Sequence, residues 1–298
     1  MRHPSREVQT GQPRRLIVNA DDFGISEAVN EAVIRAFTEG VLTSCSLMVT
    51  GEAFEHAVSL AHAHPNLAVG IHLVTVMGRA VLPPAAIPTL VDAAGNFVSN
   101  PTRAGLKYYF SPQARSELCQ ELWAQFDKFA ATGLRLSHID GHLHMHVHPV
   151  IFRTALELGL RYGVRRMRVP QEEYRLAVNF RRQDTGKKAV YTLLFGLFAR
   201  RMKRQLRAAD FVYAERVYGT LHSGQMDAQY VLYMLNHLHA TTNEIYFHPA
   251  VYPADCMLNA AGQQGRQEFT ALTSPSVRRR TQELGIELMN YFDLGESQ

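Results

Sequence analysis

The feature that most limits what this chain can become is the alternation, along most of its length, of short β-branched or apolar runs with stretches of helical period. The runs are Leu16 to Asn19, Val41 to Val49, Leu67 to Leu73, Leu134 to Ile139, Arg165 to Val169, Phe211 to Tyr213 and Glu244 to Phe247. Between them lie amphipathic patterns, the first with Ser26 as N-cap, Val29, Val33 and Phe37 along one face, and Gly40 just past its end. Further helices are expected near 52–64, 112–132, 149–162, 227–239 and 276–284, with Pro149 suited to a first helical position. Such repetition builds parallel βα units. The spacing predicts an α/β fold, a modified (β/α) barrel of the TIM type with about seven parallel strands, although periodicity alone also admits an open doubly wound sheet. No Gly-rich phosphate loop follows the first strand. The stretch 74–110 contains Pro83, Pro84, Pro88, Gly95 and Pro101 and is expected to be a long loop, or lid, over one end of a single domain spanning 1–298.

The net charge of +4 is unevenly held: Arg175 to Arg207 contains ten Lys or Arg against one acid, Asp184, so the remainder is acidic. Overall basicity therefore does not indicate a nucleic-acid partner. The segment 173–210 is read as an inserted basic, amphipathic helical unit. Within it, Ala189 to Ala199 is apolar but too short to span a bilayer, and Arg200, Arg201, Lys203, Arg204 and Arg207 follow. A helix over 187–207 suits peripheral contact with anionic headgroups; the competing readings are a core-packed helix with a solvated basic end, or a homodimer contact. With no apolar run of eighteen residues and no signal-like region in Met1 to Arg15, the expected location is the cytoplasm, including the inner face of the membrane. Cys45, Cys119 and Cys256 are widely spaced and odd in number, and are read as free thiols.

Titratable residues collect at the ends of the expected strands. Asp21 and Asp22 follow the first, His72 ends the third, His138, Asp140 and His142 end the fourth, and Arg168 and His248 end theirs. In parallel βα folds these ends share one rim, where sites are built. Neighbouring carboxylates on an extended chain point apart, so one of Asp21 and Asp22 can bind a cation while the other faces a reacting water; the alternative is an acidic pair that satisfies free N–H groups at a helix start. His138, Asp140, His142, His144, His146 and His148 share one parity and, if the chain stays extended, one face; His146 and His148 are expected to be an exposed, incidental turn. A carboxylate with imidazoles suits a divalent cation. An isolated His72 would ordinarily be a core histidine, but its rim position raises it. His248 before Pro249 suits a proton donor, and Arg168 either holds a carboxylate such as Asp21 or forms an ordinary surface ion pair.

Together, Asn19-Ala20-Asp21-Asp22-Phe23-Gly24, Gly70-Ile71-His72-Leu73 and Ser137-His138-Ile139-Asp140-Gly141-His142-Leu143-His144 resemble the YdjC-like carbohydrate deacetylases. The stretches Val81 to Pro88 and Gly105 to Phe110 resemble the branch of that family named for hopanoid biosynthesis, protein K. The resemblance implies one divalent metal, usually magnesium, held by Asp22, His72 and His142, with Zn, Co or Mn chemically compatible. It implies Asp21 as general base, His248 as the acid for the departing amine, and an N-acetylated amino sugar as substrate. The hopanoid branch narrows that to an N-acetylglucosaminyl group on a polycyclic lipid; the larger 173–210 segment departs from the soluble-sugar enzymes. Soluble chito-oligosaccharides are the alternative substrate. Two other readings are a metal phosphoesterase with two or three ions and a non-catalytic glycolipid-binding protein.

Overall fold

The structure is a computed structural model and describes residues 14–252 and 263–295; Cys256 lies outside them. Among the described residues seven parallel strands form the sheet: β1 (Arg15–Phe23), β2 (Ser44–Leu47), β3 (Ala68–Leu73), β4 (Leu136–Gly141), β5 (Arg216–Tyr218), β6 (Thr242–Phe247) and β7 (Glu287–Leu288). Their order is β4-β3-β2-β1-β6-β5, with β7 on the start of β1. The helices are α1 (Glu27–Glu39), α2 (Phe54–Ala63), α3 (Pro101–Phe110), α4 (Pro112–Ala131), α5 (Pro149–Arg161), α6 (Tyr174–Phe180), α7 (Thr185–Ala208), α8 (Ala228–His237), α9 (Gln263–Leu272) and α10 (Pro275–Glu283). Beyond β4 the sheet continues as single bridges, Ile139 to Met167 and Arg166 to Val212. Val212 N donates to the Arg165 carbonyl at 2.8 Å and Glu215 N to the Thr242 carbonyl at 3.0 Å, so the stretch 211–218 touches both edges. The sheet thereby curls as in a TIM-like barrel.

Period-two alternation divides β1 between two environments. Leu16, Val18 and Ala20 join the large core that includes the helices' apolar residues, whereas Ile17 packs with Met289, Tyr291 and Leu294 of the C-terminal segment. The second face also carries Asn19 and Asp21, and its neighbours present Ser46 from β2, His138 and Asp140 from β4 and Glu244 from β6, all buried. A polar interior thus faces a polar strand side, while the apolar side meets helices.

Several sequence expectations are corrected. Arg165 to Val169 and Phe211 to Tyr213 make only isolated bridges, because Pro170 offers no N–H to extend the first and the second passes from one edge to the other. The short β5 at 216–218 was not expected. The proline-rich stretch 74–110 is not a structureless loop: it contains α3 and is tied down where Glu121 accepts from Val81 N and Leu82 N (2.8 and 2.9 Å) and Glu117 from Thr89 N (2.9 Å). The run 138–148 does not stay extended. A 3₁₀ turn, His142–Val147, follows β4, with Leu143 and His144 in the left-handed region (φ 50° and 55°), so parity is lost after Gly141. His146, expected to be exposed, is fully buried, with Nε2 3.2 Å from the Arg168 carbonyl oxygen. Cys45 and Cys119 are free thiols. No helix among the described residues is long and apolar enough to cross a membrane.

Gly70 is required by this interior. A Cβ there would lie 2.3, 2.4 and 2.6 Å from atoms of the His138 ring, which is stacked on Tyr291 at 3.6 Å between centroids. Gly70→Ala should therefore destabilise the fold by about 1–3 kcal/mol, read from the urea midpoint; an unchanged midpoint would contradict this packing.

Candidate metal centre

The strand ends deliver their side chains to one buried cluster. Asp22 lies where the β1–β2 register shifts, between Ala20 and Phe23, and its backbone is left-handed (φ 62°). Asp21 and Asp22 therefore part company through this kink rather than through simple alternation. Asp22 turns to two imidazoles: its Oδ1 is 3.2 Å from His72 Nε2 and 3.0 Å from His142 Nδ1. Ligand atoms of Asp22, His72 and His142 lie within 4.8 Å of one another, and all three residues are buried. Non-glycine residues in the left-handed region cost of order 1–3 kcal/mol each, and Asp22, Leu143 and His144 place this strain around the same cluster.

Asp21 takes a different partner. Arg168, fully buried, donates from Nη1 to Asp21 Oδ2 and from Nη2 to Oδ1, both at 2.7 Å, and Asn19 donates to Oδ1 at 2.9 Å. Arg168 also reaches Asp140 Oδ2 at 2.8 Å and Glu244 Oε1 at 2.7 Å. This is a three-carboxylate clamp, not a surface ion pair. Asp140 further accepts from Ser46 Oγ at 2.7 Å and lies 2.7 Å from His72 Nδ1. A carboxylate on one imidazole nitrogen fixes the ring and leaves the other nitrogen for a metal.

The donor set fits a divalent cation. Asp22 Oδ2 and His142 Nε2 are buried without hydrogen-bond partners, an arrangement that is costly unless something else engages these groups. Of four buried carboxylates, Asp21, Asp140 and Glu244 share the Arg168 guanidinium while Asp22 has only the two imidazoles, so the interior is rich in negative charge that a divalent ion would offset. One carboxylate oxygen with two imidazole nitrogens is compatible with Mg, Mn, Zn or Co. A second trio, Asp21, His72 and Asp140, is equally close, but Arg168 already bonds both of its acids. The geometry thus favours a single ion.

Electrostatics follow from these contacts. Burial works to raise the Asp22 carboxyl, yet His142 and His72 hold it well below the usual carboxylate range. Burial opposes the charged form of His72, but Asp140 overrides it and lifts the imidazole to about 10. Burial is also resisted at Asp140, which Arg168 and His72 keep well below the ordinary value. By contrast, burial leaves His144 neutral and lowers His146 to about 4.

His248 leaves the sheet beside Asp21: β1 pairs with β6 through Ala20 and Phe247, and each chain's next residue is the one in question. Its side chain is 25% exposed, its ring lies 5.6 Å from that of Tyr246, and Nδ1 is 4.0 Å from Glu268 Oε2. Sequence reasoning placed Asp140 at the rim as part of a cation site, where the structure instead gives it to Arg168 and His72, and it did not assign Asn19, Ser46, Glu244 or Tyr291 to the site. The available signal was polar residues at alternate positions in otherwise apolar strands, which a barrel interior can pair.

With this geometry established, comparison with known proteins decides the family, because the sequence profile of the YdjC-like protein family matches residues 15–283. The chain belongs to the YdjC-like family. It is 35% identical over 283 residues to a carbohydrate deacetylase of Brevibacillus brevis, covering 94% of this chain and all of that one. It is 30% identical over 280 residues to a chitooligosaccharide deacetylase of an Enterobacter species, covering 94% and 98%. Among solved structures it resembles a candidate cellobiose-phosphate cleavage protein of Enterococcus faecalis, with a TM-score of 0.71, 25% identity and coverage of 94% and 98%.

The charge on His72 gives a pH test. Its folded-state pKa lies above the ordinary 6.5, so in metal-free protein its contribution to stability is complete below about pH 6.5 and disappears as pH climbs through about 10. The urea midpoint of metal-free protein should fall across that window. His72→Gln should lose this slope; a parent midpoint that is flat or rising there would contradict the assignment.

Proposed function

We propose that this chain hydrolyses the N-acetyl group of an amino sugar, using one divalent cation held by Asp22, His72 and His142. The observation that carries the proposal is the buried trio beside a separately clamped Asp21, in a chain of the deacetylase family. When bound, the ion would polarise the acetyl carbonyl and lower the pKa of water beside it towards about 7.

The chain's own residues account for the proton movements. Asp21 accepts the proton of the attacking water as its oxygen adds to the acetyl carbon. Arg168 acts as a positioning residue: two 2.7 Å bonds fix the plane of the Asp21 carboxylate, and Asn19 fixes it from another side. Asp140 orients His72 through Nδ1. His248, at the same level of the rim, donates a proton to the nitrogen as the C–N bond breaks, so that acetate and a free amine leave. The quarter-exposed ring of His248 suits a group that must meet substrate and regain its proton from solvent.

The substrate we infer is an N-acetylglucosaminyl group on a polycyclic, hopanoid-type lipid, with soluble chito-oligosaccharides as the alternative. The names of the relatives support the amino sugar; the apolar outer face of α7, described below, supports the lipid. Magnesium is the metal we expect, and the whole of 1–298 acts as one unit in which 74–110 covers the site and 173–210 faces the lipid.

Asp21→Asn should lower kcat for acetate release by about 10²–10⁴ while leaving metal content unchanged, whereas His142→Ala should lose the metal. Metal loss in Asp21→Asn with retention in His142→Ala would reverse the assigned roles. Acetate release should also be faster from an N-acetylglucosaminyl hopanoid than from short chito-oligosaccharides at equal concentration; the opposite order would leave the soluble sugar as the substrate.

A further inference from the structure

Among the described residues, nothing covers the apolar side chains on the outside of α7. Val190, Leu193, Leu194 and Leu197 are 58, 65, 47 and 54% exposed. Their spacing is i, i+3, i+4 and i+7, so they share one stripe, which continues through the exposed Arg201 and Arg204. The opposite stripe, Lys188, Ala199, Met202 and Leu206, is the one buried against the protein. The outer face of α7 is therefore apolar over its first half and cationic over its second. Single exposed leucines are ordinary, but a helical stripe of them is a patch.

This patch borders the metal centre. Phe195, on the inner side of α7, meets the His144 ring at 5.7 Å between centroids, and His144 Nε2 is 3.0 Å from the Tyr246 hydroxyl. The 3₁₀ turn leaves Leu143, one residue beyond His142, 47% exposed. A second helix in contact with this turn, α3, ends in Phe110, 73% exposed. A cavity of about 200 Å³, whose lining includes Phe195, Arg200 and Thr220, lies between α7 and the rim. The helix that carries the exposed stripe thus packs against the turn that carries His142, with a cavity on its inner side.

We propose that this face docks on an anionic lipid surface, with the Val190 to Leu197 stripe among acyl chains and Arg201 and Arg204 against phosphate headgroups. Charge decides between lipid and a second copy of the chain. α7 itself carries no acid, and its exposed Lys187, Arg200, Arg201, Arg204 and Arg207 would repel across a symmetric contact, whereas anionic headgroups complement them. Contact is lateral, since no helix among the described residues is long and apolar enough to cross. The purpose of the face, delivery of a glycolipid's sugar to the rim, rests on the function proposed above; the docking itself does not.

The test is flotation with phosphatidylcholine vesicles prepared with and without phosphatidylglycerol. The parent should float with the anionic vesicles only. Leu193→Ser/Leu197→Ser and Arg201→Gln/Arg204→Gln should each weaken binding by about tenfold or more, with unchanged melting temperature. Absence of parent binding, or equal binding by both folded variants, would overturn the proposal. So would a parent dimer in light scattering that Leu193→Ser/Leu197→Ser converts to monomer without any vesicle binding by the parent. Acetate release is a separate readout: its failure would sink the deacetylase assignment and leave a positive flotation result standing.

Discussion

Everything at the rim depends on how four buried carboxylates are kept in one small volume. Three of them share the Arg168 guanidinium, and each has a further neutral or imidazole partner: Asn19 for Asp21, Ser46 and His72 for Asp140, Tyr291 for Glu244. Buried charge is tolerated only when paired in this way, and removing one member of such a set typically costs about 3–5 kcal/mol. Asp22 is the exception. It is outside the guanidinium's reach of contacts, faces two imidazoles, and keeps one buried oxygen without a partner. The clamp therefore does two things at once: it fixes Asp21 in one orientation, and it leaves Asp22, His72 and His142 as the place where positive charge is still needed.

Much of this arrangement was legible in the sequence because strand ends are legible. Asp21, Asp22 and His72 each lie at the end of an apolar run, and parallel topology gathers such ends regardless of their separation along the chain. What could not be read were departures from regular backbone. The kink at Asp22 sends adjacent carboxylates to different partners, and left-handed Leu143 and His144 end the alternation that would have put six polar residues on one face. Short elements escaped for a related reason: β5 and the bridges at 166–167 and 212 are too brief to show a period, and α3 starts at a proline inside a stretch dominated by turn residues.

The supporting residues escaped differently. Glu244 and Asn19 lie within strands rather than at their ends, where a buried polar group carries no local mark. Their partners come from distant positions, Arg168 for Glu244 and Ser46 for Asn19, so only the closed interior explains them. Tyr291 is the clearest case: the C-terminal segment brings it into the barrel to bond Glu244 and stack on His138, and nothing in its own neighbourhood of sequence points there. The amphipathic α7 shows the converse, since its composition was evident early but the side it presents outward became apparent only once Ala199, Met202 and Leu206 were seen to face inward.

If Asp22, His72 and His142, remote in sequence, hold a cation, they hold one ion between them. Crystals soaked in manganese and measured at the metal's absorption edge test it most directly. One anomalous peak per chain is expected, about 2.0–2.3 Å from a carboxylate oxygen of Asp22 and from ring nitrogens of His72 and His142. A peak elsewhere, two peaks within about 4 Å of each other, or none at saturating metal would contradict it.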